Sequence, residues 1–242
     1  MPRGKSRIWE AKLPPGLEGM DLGPQWPHVS DSEVADLPLL PKDTPLTNPR
    51  FLARSYHSDV YLIDVTYRDK TASAILKIFS KTLKHRYFKE TDAYRYLHHY
   101  GAPDEGIVPK IYGVLPSISK KRLSEILGNA VPDDQAPITT PASGVLMQHI
   151  RGAVSPSAEN MTTKIAEAAL DALGVIHSCH VLHGDAEGRN LLLYPETGKV
   201  VWIDFSCARI NRSIYLASEE RSPVKQFLYE TLVIPNCNKV HW

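Results

Sequence analysis

Residues 190–204 carry a hairpin signal that ties three polar side chains to one place. Asn190-Leu-Leu-Leu-Tyr194 is followed by the turn sequence Pro195-Glu-Thr-Gly198 and then by Lys199-Val-Val-Trp-Ile-Asp204. A turn centred near residues 196 and 197 pairs positions whose numbers sum to about 393, so Asn190 falls beside Ile203 and Asp204. Asp185 lies five residues before Asn190. A carboxylate, a carboxamide and a second carboxylate therefore converge at the open end of the hairpin. Such an oxygen-rich group suits magnesium, which prefers hard oxygen ligands and is held by a few protein groups together with substrate phosphates.

A second polar pair is encoded in the first half. Val60-Tyr-Leu-Ile-Asp-Val-Thr66 and Ala72-Ser-Ala-Ile-Leu-Lys-Ile-Phe79 read as antiparallel strands joined by a short turn. Residues 81–100 then read as a helix, stopped by Gly101 with Pro103 beyond it. On that helix Glu90 shares a face with Tyr87, Ala93, Tyr94 and Leu97, so a carboxylate interrupts a stripe that is otherwise set for burial. A buried charge is costly unless paired. Lys77, near the end of the second strand, is the expected partner, and a lysine anchored in this way can hold nucleotide phosphates.

The remaining expectations are coarser. Nine of the nineteen prolines lie in residues 1–50, which read as a proline-rich extension whose Ile8, Trp9, Leu13, Met20, Leu22 and Trp26 either pack as an arm or stay disordered. Strands are expected at 107–115 and 144–150, with a solvated insertion at 116–142 around a short helical stretch, in which the basic run Ser119-Lys-Lys-Arg122 reads as a solvated loop. Helices are expected at 157–177 and 219–232. The fold class is thus α+β, with an antiparallel sheet in residues 51–150 and mainly helix in 151–242.

Net charge of +1 and the lack of a dense basic stripe argue against a nucleic-acid partner. Three scattered cysteines, Cys179, Cys207 and Cys237, signal neither a disulfide framework nor a cysteine zinc site, which fits a reducing, cytoplasmic setting. No run of about 18 apolar residues occurs, so no membrane span is expected. His177, His180 and His183 are spaced by three, but helix ending and loop structure explain them better than zinc does. Oligomeric state is not encoded in any motif.

Four elements in order resemble the protein-kinase-like superfamily, and within it the small branch that includes aminoglycoside and choline kinases. They are Ala74-Ile-Leu-Lys77, the helix residue Glu90, His183-Gly-Asp185 with Asn190, and Asp204-Phe-Ser206. The resemblance covers roughly residues 51–206 and implies a bilobal fold with an abbreviated C-terminal lobe. It implies that ATP and magnesium are bound, with Lys77 on the phosphates, Glu90 orienting it, Asp185 as base toward an acceptor hydroxyl, and Asn190 and Asp204 on the metal. By the same comparison Gln148, His149 and Ile150 border the adenine, and Ser55 and Ser58 border the phosphates. His183 becomes a structural loop residue.

Two departures qualify what the resemblance implies. Arg54-Ser-Tyr-His-Ser-Asp59 has no glycine where a glycine-rich phosphate loop is expected, and Ser206 stands where the metal-binding triplet usually has glycine. The chain after Asp204 is also short for docking a peptide, which favours a small or specialised acceptor. The expectation is an active phosphotransferase, with a pseudokinase serving as a nucleotide-binding or regulatory module as the alternative.

Overall fold

The computed structural model describes residues 31–55, 58–67, 70–130, 138–210 and 214–237. The six apolar residues expected either to pack as an arm or to stay disordered lie outside the described residues. Five strands form one antiparallel sheet in the order β1-β2-β3-β5-β4: β1 (Leu46–Arg54), β2 (Asp59–Tyr67), β3 (Lys70–Phe79), β4 (Ile111–Ile118) and β5 (Ala142–Gln148). The period of two along β3 decides what each face meets. Ala74, Leu76 and Ile78 enter one apolar cluster with Tyr61, Ile63 and Leu146. Ile75 and Phe79 pack into the main core on the opposite face, and Lys77 shares their parity.

Helix α1 (Lys84–His99) crosses that second face after a single 3-10 turn at Lys81–Leu83. Tyr87, Ala93, Tyr94 and Leu97 are buried along it, as the helical period requires, and Glu90 is buried among them. Gly101, at φ +78°, turns the chain out of the helix, and the Ala102 amide closes the last turn on the Leu97 carbonyl at 2.9 Å.

The second half contains α3 (Thr163–Ser178), the short strands β6 (Val181–Leu182), β7 (Leu191–Tyr194), β8 (Lys199–Trp202) and β9 (Arg209–Ile210), and α4 (Ile214–Cys237). Its apolar residues join the main core: Ile165, Leu173 and Ile176 from α3, Trp202 and Phe205 from the hairpin side, and Val224 and Leu228 from α4. Trp202 donates its indole N–H to the Ala169 carbonyl at 3.1 Å, so its polar edge is satisfied inside the core. Among the described residues no helix is long and apolar enough to cross a membrane.

Several expected boundaries move. Residues 31–50 are not a mere lead-in: Val34 and Leu37 are buried, Val114 exchanges backbone hydrogen bonds with Pro38 and Leu40, and β1 begins at Leu46. Nor is 116–142 simply a solvated insertion. Ser119 caps α2 (Lys120–Leu127) by accepting from the Arg122 amide, and Leu123, Ile126 and Leu127 are buried under β1 and β3 at helical spacing. The basic stretch therefore starts a helix instead of forming a loop, and Arg122 donates to the Thr44 carbonyl at 2.8 Å. The strand expected at 107–115 starts at Ile111, and the one expected at 144–150 ends at Gln148. Helix α3 starts at Thr163, where Thr162 provides the cap, and α4 is longer than the expected 219–232.

Candidate functional site

Lys77 reaches α1 because the alternation of β3 places it on the face that α1 covers. Its Nζ donates to Glu90 Oε2 at 2.6 Å and to Asp204 Oδ1 at 2.7 Å. One ammonium thus bridges two carboxylates, with the Lys77 and Glu90 side chains 5 % and 0 % exposed. Burial works against the lysine's charge, but Glu90 and Asp204 outweigh it and hold the ammonium above its usual range. The two carboxylates part company. Burial pushes Glu90 up to about 7, with Lys77 opposing. Burial acts in the same sense on Asp204, yet Lys77 and the Ser206 hydrogen bonds prevail and hold it well below the usual carboxylate range. The less buried of two carboxylates sharing one cation keeps the full negative charge.

The hairpin forms in the register its turn residues dictate. Leu191 faces Trp202, Leu192 faces Val201, and Tyr194 faces Lys199. The ladder extends one step further, the Ile203 amide donating to the Asn190 carbonyl at 2.9 Å, so Asn190 and Asp204 sit at adjoining levels. Asn190 is buried and donates Nδ2 to Asp185 Oδ2 and to the Asp185 carbonyl, each at 2.8 Å. Asp204 adopts φ +65°, a conformation short polar residues tolerate. Ser206 then serves it directly, its hydroxyl at 2.6 Å and its amide at 3.2 Å from Asp204 Oδ1. A glycine there would supply only the amide.

Three features of the site escaped sequence reasoning. Glu220 of α4 accepts from the His183 amide at 2.9 Å, from the Gly184 amide, and pairs with His177 Nε2 at 2.7 Å. A helix carboxylate thereby fixes the backbone that leads into Asp185. The signal was present: Glu220, Val224 and Phe227 recur at helical spacing, so the acid belongs to the apolar face of α4. Gly184, at φ +76°, has a steric reason to be glycine as well. A Cβ there would lie 2.3 Å from the Cys207 carbonyl oxygen. Arg189 is the third, donating to Asp185 Oδ1 at 2.6 Å and to Glu187.

His183 is fully buried, donates Nε2 to the Ile203 carbonyl at 3.0 Å and packs on Trp202 and Phe205, which is a structural role. His180, at φ +61°, packs edge-on against Tyr100. Ser55 and Ser58 close the β1–β2 turn on each other, the Ser55 amide meeting the Ser58 carbonyl at 2.8 Å and the Ser58 amide meeting Ser55 Oγ at 3.0 Å. Arg54 and Asp59 brace the base of this turn with two hydrogen bonds of 2.5 and 2.6 Å. Ser58 lies two residues before Val60, the β2 partner of Lys77. Gln148 ends β5 and bonds to the Lys110 backbone, whereas His149 is tied to Ser73 Oγ at 3.0 Å. Ile150, half-buried, follows at the crossing into the second half.

Among the described residues no three His, Cys, Asp or Glu side chains converge on a common metal position. The donor chemistry nonetheless fits magnesium with few protein ligands. Asp204 uses only Oδ1 and Asn190 only Nδ2 in the hydrogen bonds of the described residues, leaving Asp204 Oδ2 and Asn190 Oδ1 as hard oxygens at the end of the hairpin. Comparison with protein-family models and with curated proteins gives no match.

Proposed function

We propose that this chain is an ATP-dependent phosphotransferase with a bilobal protein-kinase-like fold, moving the γ-phosphoryl group of ATP to a hydroxyl of an acceptor. The observation that carries this reading is Lys77 held between Glu90 and Asp204 at 2.6 and 2.7 Å, beside a hairpin end that also holds Asn190 and Asp185. A lysine fixed by a buried carboxylate is positioned to donate to phosphate oxygens without the entropy cost of ordering a free side chain. Asn190 and Asp204 would hold magnesium, which when bound neutralises charge on the phosphates. Asp185 would take the acceptor proton. Residues 148–150 would border the adenine, and Ser55 and Ser58 would border the phosphates.

A second reading, a pseudokinase that binds nucleotide without transferring phosphate, is favoured by one observation. Both carboxylate oxygens of Asp185 are already engaged, by Arg189 and by Asn190. The test is turnover of Mg·ATP with a panel of hydroxyl acceptors, comparing wild type with Asp185→Asn. An enzyme loses about 10² to 10⁴ in rate while keeping its affinity for ATP. Nucleotide binding without turnover, identical in both proteins, supports the pseudokinase.

A further inference from the structure

Arg189 has no part in the roles assigned to Asp185 and Asn190, yet it touches the proposed base directly. Its guanidinium lies between two carboxylates, with Nη2 2.6 Å from Asp185 Oδ1 and Nη1 on Glu187. Asn190 Nδ2 occupies the other oxygen, Oδ2, at 2.8 Å. The two donors differ in kind. Asn190 is buried and anchored by its second bond to the Asp185 carbonyl, whereas the Arg189 side chain is 61 % exposed. An exposed ion pair on a long side chain is readily displaced. Asp185, Glu187 and Arg189 line a cleft of about 980 Å³ together with Pro223, Gln226 and Phe227 of α4. A molecule in that cleft reaches Oδ1 only in competition with Arg189.

We propose that Arg189 is a positioning residue that discriminates an acceptor hydroxyl from water at Asp185, an inference that rests on the phosphotransferase reading. In transfer to the acceptor, its hydroxyl oxygen bonds to the γ-phosphorus while the bond from that phosphorus to the bridging oxygen breaks. The electron pair leaves with ADP, and the hydroxyl proton passes to Asp185 Oδ1. Water can make the same exchange, giving ADP and inorganic phosphate, whenever it is oriented by Oδ1. With Arg189 on that oxygen, a lone water has no binding energy with which to displace the guanidinium. An acceptor gripped by the cleft walls does, and contacts remote from the reacting atom are spent in this way. Glu187 keeps a hold on the displaced guanidinium, so the side chain can swing aside without losing every partner.

The experiment needs no identified acceptor. ADP release from Mg·ATP alone is measured for wild type, Arg189→Ala, Arg189→Lys and Glu187→Gln, together with Mg·ATP affinity and the unfolding midpoint of each. Arg189→Ala is expected to raise acceptor-free hydrolysis about tenfold. Arg189→Lys, which keeps the charge and loses the fork, should fall between, and Glu187→Gln, which leaves Asp185 as the sole anionic anchor, should lower it. Mg·ATP affinity should stay within about twofold throughout, because Arg189 is placed on the acceptor side. Unchanged or slower hydrolysis in Arg189→Ala with affinity intact overturns the role of Arg189 and leaves the phosphotransferase reading standing. A wild type that binds no Mg·ATP overturns both. If Arg189→Ala melts early, Arg189→Lys and Glu187→Gln decide alone: opposite shifts uphold the inference, and shifts in one direction overturn it.

Discussion

Lys77 between Glu90 and Asp204, and Arg189 between Asp185 and Glu187, are formally the same arrangement of one cation bridging two carboxylates. Solvent separates them. The Lys77 and Glu90 side chains are 5 % and 0 % exposed, whereas those of Arg189 and Glu187 are 61 % and 58 % exposed. Water screens Arg189 and Glu187 and offers both an alternative partner, so their contacts can exchange at little cost. Lys77 and Glu90 have no such alternative, and removal of one strands the other. On the phosphotransferase proposal the rigid cluster would hold phosphate and the exchangeable one would admit an acceptor.

The comparison breaks most readily at Lys77. Lys77→Ala leaves Glu90 buried without its cation and should cost about 3–5 kcal/mol in denaturant unfolding, against less than about 1 kcal/mol for Arg189→Ala. Combining Lys77→Met with Glu90→Leu should recover part of the loss, because the desolvation cost of that pair is then removed, while Asp204 keeps its charge and loses its cation. Equal costs for the two single alanine variants would mean that burial does not distinguish the clusters.

Next in size is Gly184→Ala. The added methyl would meet a backbone carbonyl, Cys207 O, at a hypothetical 2.3 Å and at φ +76°, so neither partner can yield cheaply. A loss of about 1–3 kcal/mol is expected in the same unfolding measurement, and on the phosphotransferase proposal slower turnover as well, because Asp185 follows directly.

The pH dependence sharpens the contrast from the buried side. Glu90 rises from an ordinary 4.5 to about 7 on folding. Between those values the native chain holds a proton that the unfolded chain has released, so this group makes stability fall as pH rises from about 4.5 to about 7. Asp204 acts in the opposite sense: its folded value lies below its ordinary 3.8, so its contribution is lost only as pH drops beneath that. Urea unfolding at about pH 4.5 and about pH 7.5 should differ by about 1–3 kcal/mol more in wild type than in Glu90→Gln. The smallest effect concerns the segment between β4 and β5, where Ser119→Ala should cost about 1 kcal/mol by uncapping α2. No change would return that segment to the status of a solvated loop.

What sequence alone conveyed, and what it did not, follows from the range of the interactions. The hairpin was legible because its register is set by a turn within it: Leu191 faces Trp202 and Leu193 faces Val200, both summing to 393. The Lys77–Glu90 pairing was legible because two short-range periods, of strand and helix, each marked an ionisable residue on an apolar face. β1 was not, since its register shifts twice and Asn48, at φ +52°, and Pro49 interrupt any alternation. An edge strand tolerates such residues, the missing proline donor included. In α2 the run Lys120-Lys-Arg122 obscured Leu123, Ile126 and Leu127, which alone touch the core. Glu220 was hidden for a different reason. Its partners lie 36 to 43 residues away, and no local pattern reports which backbone amides a helix carboxylate will meet.

The phosphotransferase proposal stands on magnesium-dependent nucleotide binding at the end of the hairpin. ATP titrated into wild type with and without magnesium should bind about tenfold or more tightly with it, and Asp204→Asn should lose that gain. Asparagine suits the φ of +65° at this position, so the substitution removes a charged oxygen without straining the backbone. If wild type binds ATP equally well with and without magnesium, or binds no nucleotide, the assignment of Asp204 and Asn190 is wrong and the phosphotransferase reading goes with it.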